Sequence, residues 1–155
     1  MKRAWMPALL AGVLAAGGCR QFWKDDISPE VEAKASQMDA QLKETRTLTG
    51  LAKIEESVKD YVQNEKKIPE RLEDLIPKYL ADMPTVELGV RGHRDTTRVQ
   101  KYPSSILSGG QIDGSKIKDT GRWGYVHDER QVVVFVDCVH KSSRGRPWFE
   151  ERGTN

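Results

Sequence analysis

The chain has no apolar run long enough to cross a bilayer. Its longest strongly apolar stretch, Ala4–Ala16 (AWMPALLAGVLAA), stops well short of the ~20 residues that a membrane-spanning helix needs. Cysteine is scarce too: with only Cys19 and Cys138, at most one internal disulfide is open to the chain. The usual marks of catalysis are missing. The loop SILSGGQ (105–111) lacks the lysine of a phosphate-binding loop, and no serine stands in a G-x-S-x-G setting. There is no H-x-x-x-H and no Cys or His pair at ligand spacing. His93, His127 and His140, with Asp95, Asp128 and Asp137 nearby, are therefore read as solvated turn or strand-end residues, not as a metal or acid–base site. Lys141–Arg146 (KSSRGR) is basic and offers none of the carboxylates that calcium requires. The expectation is of no enzyme, no cofactor and no metal. An excess of positive charge is absent as well. Lys2 and Arg3 precede every acid; without them 23 basic and 23 acidic side chains remain, which argues against a nucleic-acid-binding surface.

What is present begins at the amino end. Lys2 and Arg3 form a charged n-region, Ala4–Ala16 an h-region, and together they read as a secretory signal. The next residues, Ala16-Gly17-Gly18-Cys19, resemble a bacterial lipobox, with Ala16 where leucine is usual. That resemblance implies cleavage after residue 18, a diacylglycerol thioether on Cys19 and an acylated amino group. Two or more acyl chains hold a protein stably to a membrane where one holds it only marginally. Arg20, in place of an aspartate, implies the periplasmic face of the outer membrane. An ordinary signal would instead leave Cys19 a bare thiol, able to pair with Cys138. With Cys19 lipidated, Cys138 is an unpaired thiol that must be buried, and its strand position puts it on the face of Val132, Val134 and Val136.

Residues 19–28 read as a tether and 29–155 as one α+β domain. Ser28-Pro29-Glu30 is a helix start, and Val31, Ala35, Met38, Leu42, Thr45, Thr49 and Ala52 recur at alternating steps of four and three. The stripe strengthens through Leu48, Leu51, Ile54, Val58, Tyr61 and Val62. A kink is allowed at TRTLTG (45–50), and an unbroken helix would project its first turns from the body. A short second helix opening at Pro69 should fold Leu72, Leu75 and Ile76 back on the first. Asp119–Val139 (DTGRWGYVHDERQVVVFVDCV) reads as an antiparallel hairpin that buries Trp123 and Phe135 on the long helix. Residues 85–117 offer weak strands at 86–90 and 98–102 within long loops.

Two patches carry a further resemblance. Ile54–Tyr61 followed by Pro69, Leu72, Leu75, Pro77, Tyr79, Leu80 and Pro84, then DTGRWGY (119–125) and Ser143, Gly145, Pro147 and Trp148, are similar to type IV pilins and type II secretion pseudopilins. The resemblance implies a long helix packed on a small antiparallel sheet and a role in assembly. The membrane-embedded half of a pilin helix and its G-F-T-x-x-E processing site are missing, so a lipid on Cys19 would take over the anchoring. The expected protein is a lipid-anchored envelope component with a pilin-like head, non-catalytic, with pilus, secretion or other envelope proteins as partners. Trp148 and Phe149 are candidate partner contacts. The alternative is an envelope lipoprotein with a ligand-binding or hydrolytic site in the 85–117 loops.

Overall fold

The computed structural model describes residues 28–153. The signal peptide, Cys19 and the tether up to residue 27 lie outside them. The chain is α+β, one long helix and a small mixed sheet. Helix α1 spans Pro29–Glu65. Ser28 is extended and its side chain accepts from the Val31 N–H, Pro29 occupies the first turn, and Glu30 and Glu32 sit at the positive end of the helix dipole. The helix closes at Lys66, whose left-handed backbone returns its N–H to the Val62 carbonyl.

The helix does not break at residues 45–50. Those residues, weak in helix propensity, are where α1 meets the body. The Thr47 hydroxyl, fully buried, donates to the Glu87 carbonyl at 2.9 Å and accepts the Glu87 N–H at 2.8 Å. Gly50 lets the helix approach Pro84 and the Trp123 ring, since a methyl there would lie 2.9 Å from Pro84 Cβ. Tertiary contact outweighs propensity here. Before this point the helix stands clear: residues 29–42 are exposed, with Val31, Met38 and Leu42 presenting apolar side chains to solvent.

The main sheet has the order β1–β4–β5, with β1 at Val99–Lys101, β4 at Trp123–His127 and β5 at Val132–Val136. The expected hairpin is β4–β5, registered Trp123 on Val136 through His127 on Val132. Its turn is held by Asp128, whose carboxylate accepts the Arg130 and Gln131 N–H groups at 2.7 and 2.9 Å. The sheet is mixed, not antiparallel, because β1 pairs parallel to β4. Residues 102–122 supply the long connection that a parallel pair requires. They carry a two-stranded ribbon of β2 (Leu107–Ser108) and β3 (Gln111–Ile112). The second helix is only a 3-10 turn, Leu72–Leu75, with Leu72 and Leu75 buried and Ile76 at the surface.

Both faces of the sheet are covered. Towards α1, Trp123, Tyr125, Val134, Val136 and Cys138 pack with Leu48, Leu51, Ile54 and Val58. The other face holds Tyr102, Ile106, Val126 and Phe135. Phe135 thus points away from the helix, contrary to expectation, because it alternates with Val134 and Val136. Its ring lies over Gly124, its cross-strand partner, where any Cβ would collide with it. Gly124→Ala should therefore lower stability by about 1–3 kcal/mol through overpacking. Urea unfolding will show this as a reduced midpoint with an unchanged slope, while Val31→Ala on the exposed helix should shift it by no more than about 0.5 kcal/mol.

Candidate functional site

Beyond the carboxyl end of β5, three segments meet that share few backbone hydrogen bonds. The loop after Val86 turns at Val90–His93, clamped below by the bridge between Val86 and Thr96. The segment 118–122 enters β4, with Asp119 in the left-handed region at φ 54° and Gly121 at φ 67°. The third is the exit from β5, Asp137–His140. Gly121 has a steric role: the His93 ring rests against its Cα, and a Cβ there would come within 2.7 Å of the imidazole.

These segments bring four donor-bearing side chains together: His93, Asp119, Cys138 and His140, whose ligand atoms all lie within 4.8 Å of one another. His93 Nε2 is 3.3 Å from Asp119 Oδ1, His140 Nδ1 is 3.9 Å from the same oxygen, and Cys138 Sγ is 3.4 Å from His140 Nδ1. The two imidazoles meet edge to face at 5.1 Å. The Val139 N–H donates to Asp119 Oδ1 at 3.0 Å and fixes the carboxylate. Burial works to raise the Asp119 pKa, but the Val139 amide and the two imidazoles outweigh it and hold the carboxyl below its usual range. Cys138 is fully buried; desolvation first, then the charges of Asp119 and Asp137, push its thiol up to about 12. His93 Nε2 is a buried nitrogen with no hydrogen-bond partner among the described residues.

A second polar cluster supports the first. Asp137 is fully buried, and its carboxylate accepts from the Tyr102 hydroxyl at 2.8 Å and from both the N–H and the hydroxyl of Thr120. The Lys118 N–H donates in turn to the Tyr102 oxygen at 2.8 Å. These bonds fasten 118–120 to the end of β5, and so position Asp119 opposite Cys138.

The remaining candidates fall elsewhere. Asp95 is exposed, Asp128 serves the hairpin turn, and His127 lies beside Tyr125, with ring centroids 5.6 Å apart. Trp148 is 1% exposed and belongs to the core, so it offers no partner surface; Phe149 is half-buried against Gly114. The basic run 141–146 is not simply solvated. Arg144 and Arg146 approach the fully buried Glu151 at 3.4 and 3.3 Å, Ser142 donates to it at 2.6 Å, and Ser143 bonds Glu44 on α1. Cys19 lies outside the described residues. His93, expected as a solvated turn residue, is instead 7% exposed and faces Asp119, while His140 stays exposed at the strand end. The local signal of the four-residue cluster was Cys138-x-His140 leaving a strand, where residues two apart can share a side; His93 and Asp119 join only through the fold.

Tyr102→Phe should cost about 1.5–3 kcal/mol, because it removes a hydrogen bond to a buried carboxylate and leaves the Lys118 N–H without its acceptor. Urea unfolding measures the loss, and amide exchange should quicken at Lys118 and Thr120 while α1 is unaffected. Compared with known proteins, the chain matches no family model, no curated protein and no solved structure.

Proposed function

We propose that the chain is a lipid-anchored component of the bacterial cell envelope whose pilin-like α+β head works by binding and assembly, without catalysis. The observation that carries the reading is the exposed amino-terminal part of α1. Residues 29–42 make no core with the head and would lift it about 20 Å above their own start, at 1.5 Å rise per residue. Ser28 begins that spacer nine positions after Cys19, so an acylated Cys19 would be followed by a short tether, a stiff stalk and the head. Among the described residues no helix is long and apolar enough to cross a membrane, and under this reading acyl chains do the holding. A single long helix laid on a small sheet is also what the pilin resemblance implies, although β1 runs parallel. The membrane would be the outer one, at its periplasmic face, and the partners pilus, secretion or other envelope proteins.

One observation favours a second reading, a ligand-binding lipoprotein with its site in the 85–117 loops: His93, from that region, reaches Asp119, Cys138 and His140.

Cells fed labelled palmitate should place label in the wild-type protein and none in Cys19→Ala, and the variant should leave the membrane fraction. Wild-type protein that carries no label would remove the anchor. A crosslinking pull-down from envelopes should return an envelope, pilus or secretion component, and a return without any of these would remove the assembly role.

A further inference from the structure

We propose that His93, Asp119, Cys138 and His140 form a binding site for one divalent transition-metal ion, with zinc the best fit. The site stands independently of the lipid anchor and of any assembly role.

Four observations converge. The donor set comes first: two imidazoles, a thiol and a carboxylate favour zinc and its neighbours and disfavour calcium or magnesium, which take oxygen throughout. Spacing is the second. Donors about 2.0–2.3 Å from a tetrahedral zinc stand ~3.3–3.8 Å apart, and three of the six donor pairs, at 3.3, 3.4 and 3.9 Å, fall on or beside that range. With every pair inside 4.8 Å, closing the shell asks each separation to shorten by about 1 Å or less.

The third is the orphaned nitrogen. The His93 side chain is 7% exposed and its buried Nε2 faces the cluster, 3.3 Å from Asp119 Oδ1 but not aligned to hydrogen-bond to it or to any other described residue. A buried polar atom left in that state is destabilising, and a cation at the centre of the cluster would take up its lone pair. The fourth is outer support. Asp119 receives the Val139 N–H, Gly121 leaves room for the His93 ring, and the Asp137–Tyr102–Thr120 network pins the segment that carries Asp119. Such second contacts orient ligands in metal sites.

The chemistry of loading is simple. The Cys138 S–H bond gives way to a sulfur–metal bond and the proton passes to solvent; nothing is oxidised or reduced. Four protein donors fill a tetrahedral shell, which suits a structural ion that staples three segments and leaves no open position for catalysis. Binding would also shield the thiol.

The test uses the full chain carrying Cys19→Ala, so that Cys138 is its only thiol, reduced and stripped of metal with a chelator. Zinc titrated against a chromophoric chelator should bind at one equivalent and raise the melting temperature. Cobalt(II) added in its place should give the intense visible bands of a four-coordinate ion and a thiolate-to-cobalt charge-transfer band. Cys138→Ser should abolish that charge-transfer band, and His93→Gln and His140→Ala should each weaken zinc binding on the order of 100-fold. His127→Ala, outside the cluster, should bind as the parent does. His140 is exposed at the rim, so its variant should fold even where a core substitution does not. Absence of stoichiometric zinc binding would overturn the proposal. So would a cobalt spectrum without the thiolate band, or binding equally strong in His140→Ala and the parent, which would mark adventitious surface binding.

Discussion

The fold depends on the seat of α1 on the sheet, fixed at Trp123. Trp123, fully buried, lies with its ring against Gly50 and its indole N–H donating to the Pro84 carbonyl at 2.7 Å. One side chain therefore ties the helix, the strand and the segment entering the 85–117 region. Burying an indole stabilises only if its N–H finds an acceptor, and Pro84 supplies that acceptor while packing on the same glycine. Thr47 and Glu87 repeat the arrangement a turn away with two backbone-directed bonds. At the other end of the buried half, Tyr61 meets Tyr79 edge to face, and Glu65 accepts from the Tyr79 hydroxyl and Lys78. The helix is gripped from Thr47 to Glu65 and by little before it, so α1 is half core element and half exposed helix.

A sheet of three short strands cannot bury enough apolar surface alone. The fold answers by covering both faces, α1 on one and the loops around Tyr102 and Ile106 on the other. Those loops have little secondary structure, and buried charges fix them in place. Asp137 holds 118–120, and Glu151 gathers Ser142, Arg144 and Arg146 from the 141–146 loop. Neither carboxylate is left without partners, which is the condition under which a buried charge can be tolerated.

Local patterning made some of this readable from the chain. Ser28-Pro29-Glu30 marks the helix start, and the valines after a polar break mark the hairpin. Patterning failed where tertiary contact reversed a local preference. Thr47 and Gly50 look like breakers and are docking residues. Val99–Lys101 has one apolar residue among three: a weak strand over 98–102 is legible, and the structure forms it at 99–101, but nothing in it announces a parallel pairing with β4. Phe135 reads as a partner for the helix until the register is known, since a step of one residue changes the face. Trp148 near the chain end invites an interface reading, yet its 1% exposure makes it core. The histidine cluster was hidden for another reason: its members lie at 93, 119, 138 and 140, and only the crossing of three loops makes them neighbours.

That crossing also explains why the cluster sits where it does. The ladder between β4 and β5 ends at Trp123 and Val136, and past it Gly121 still bonds Asp137 through the backbone while Val139 turns to the Asp119 carboxylate. Main-chain pairing thus gives way to side-chain pairing within three residues. The 90–93 loop has no ladder to join at this end, and His93 is its link to the other two segments, through Asp119 and the face of Gly121. Where backbone hydrogen bonds run out, side chains must connect the segments. Imidazole, thiol and carboxylate groups gathered within 4.8 Å of one another at this junction lie close to the separations that donors adopt around a single ion.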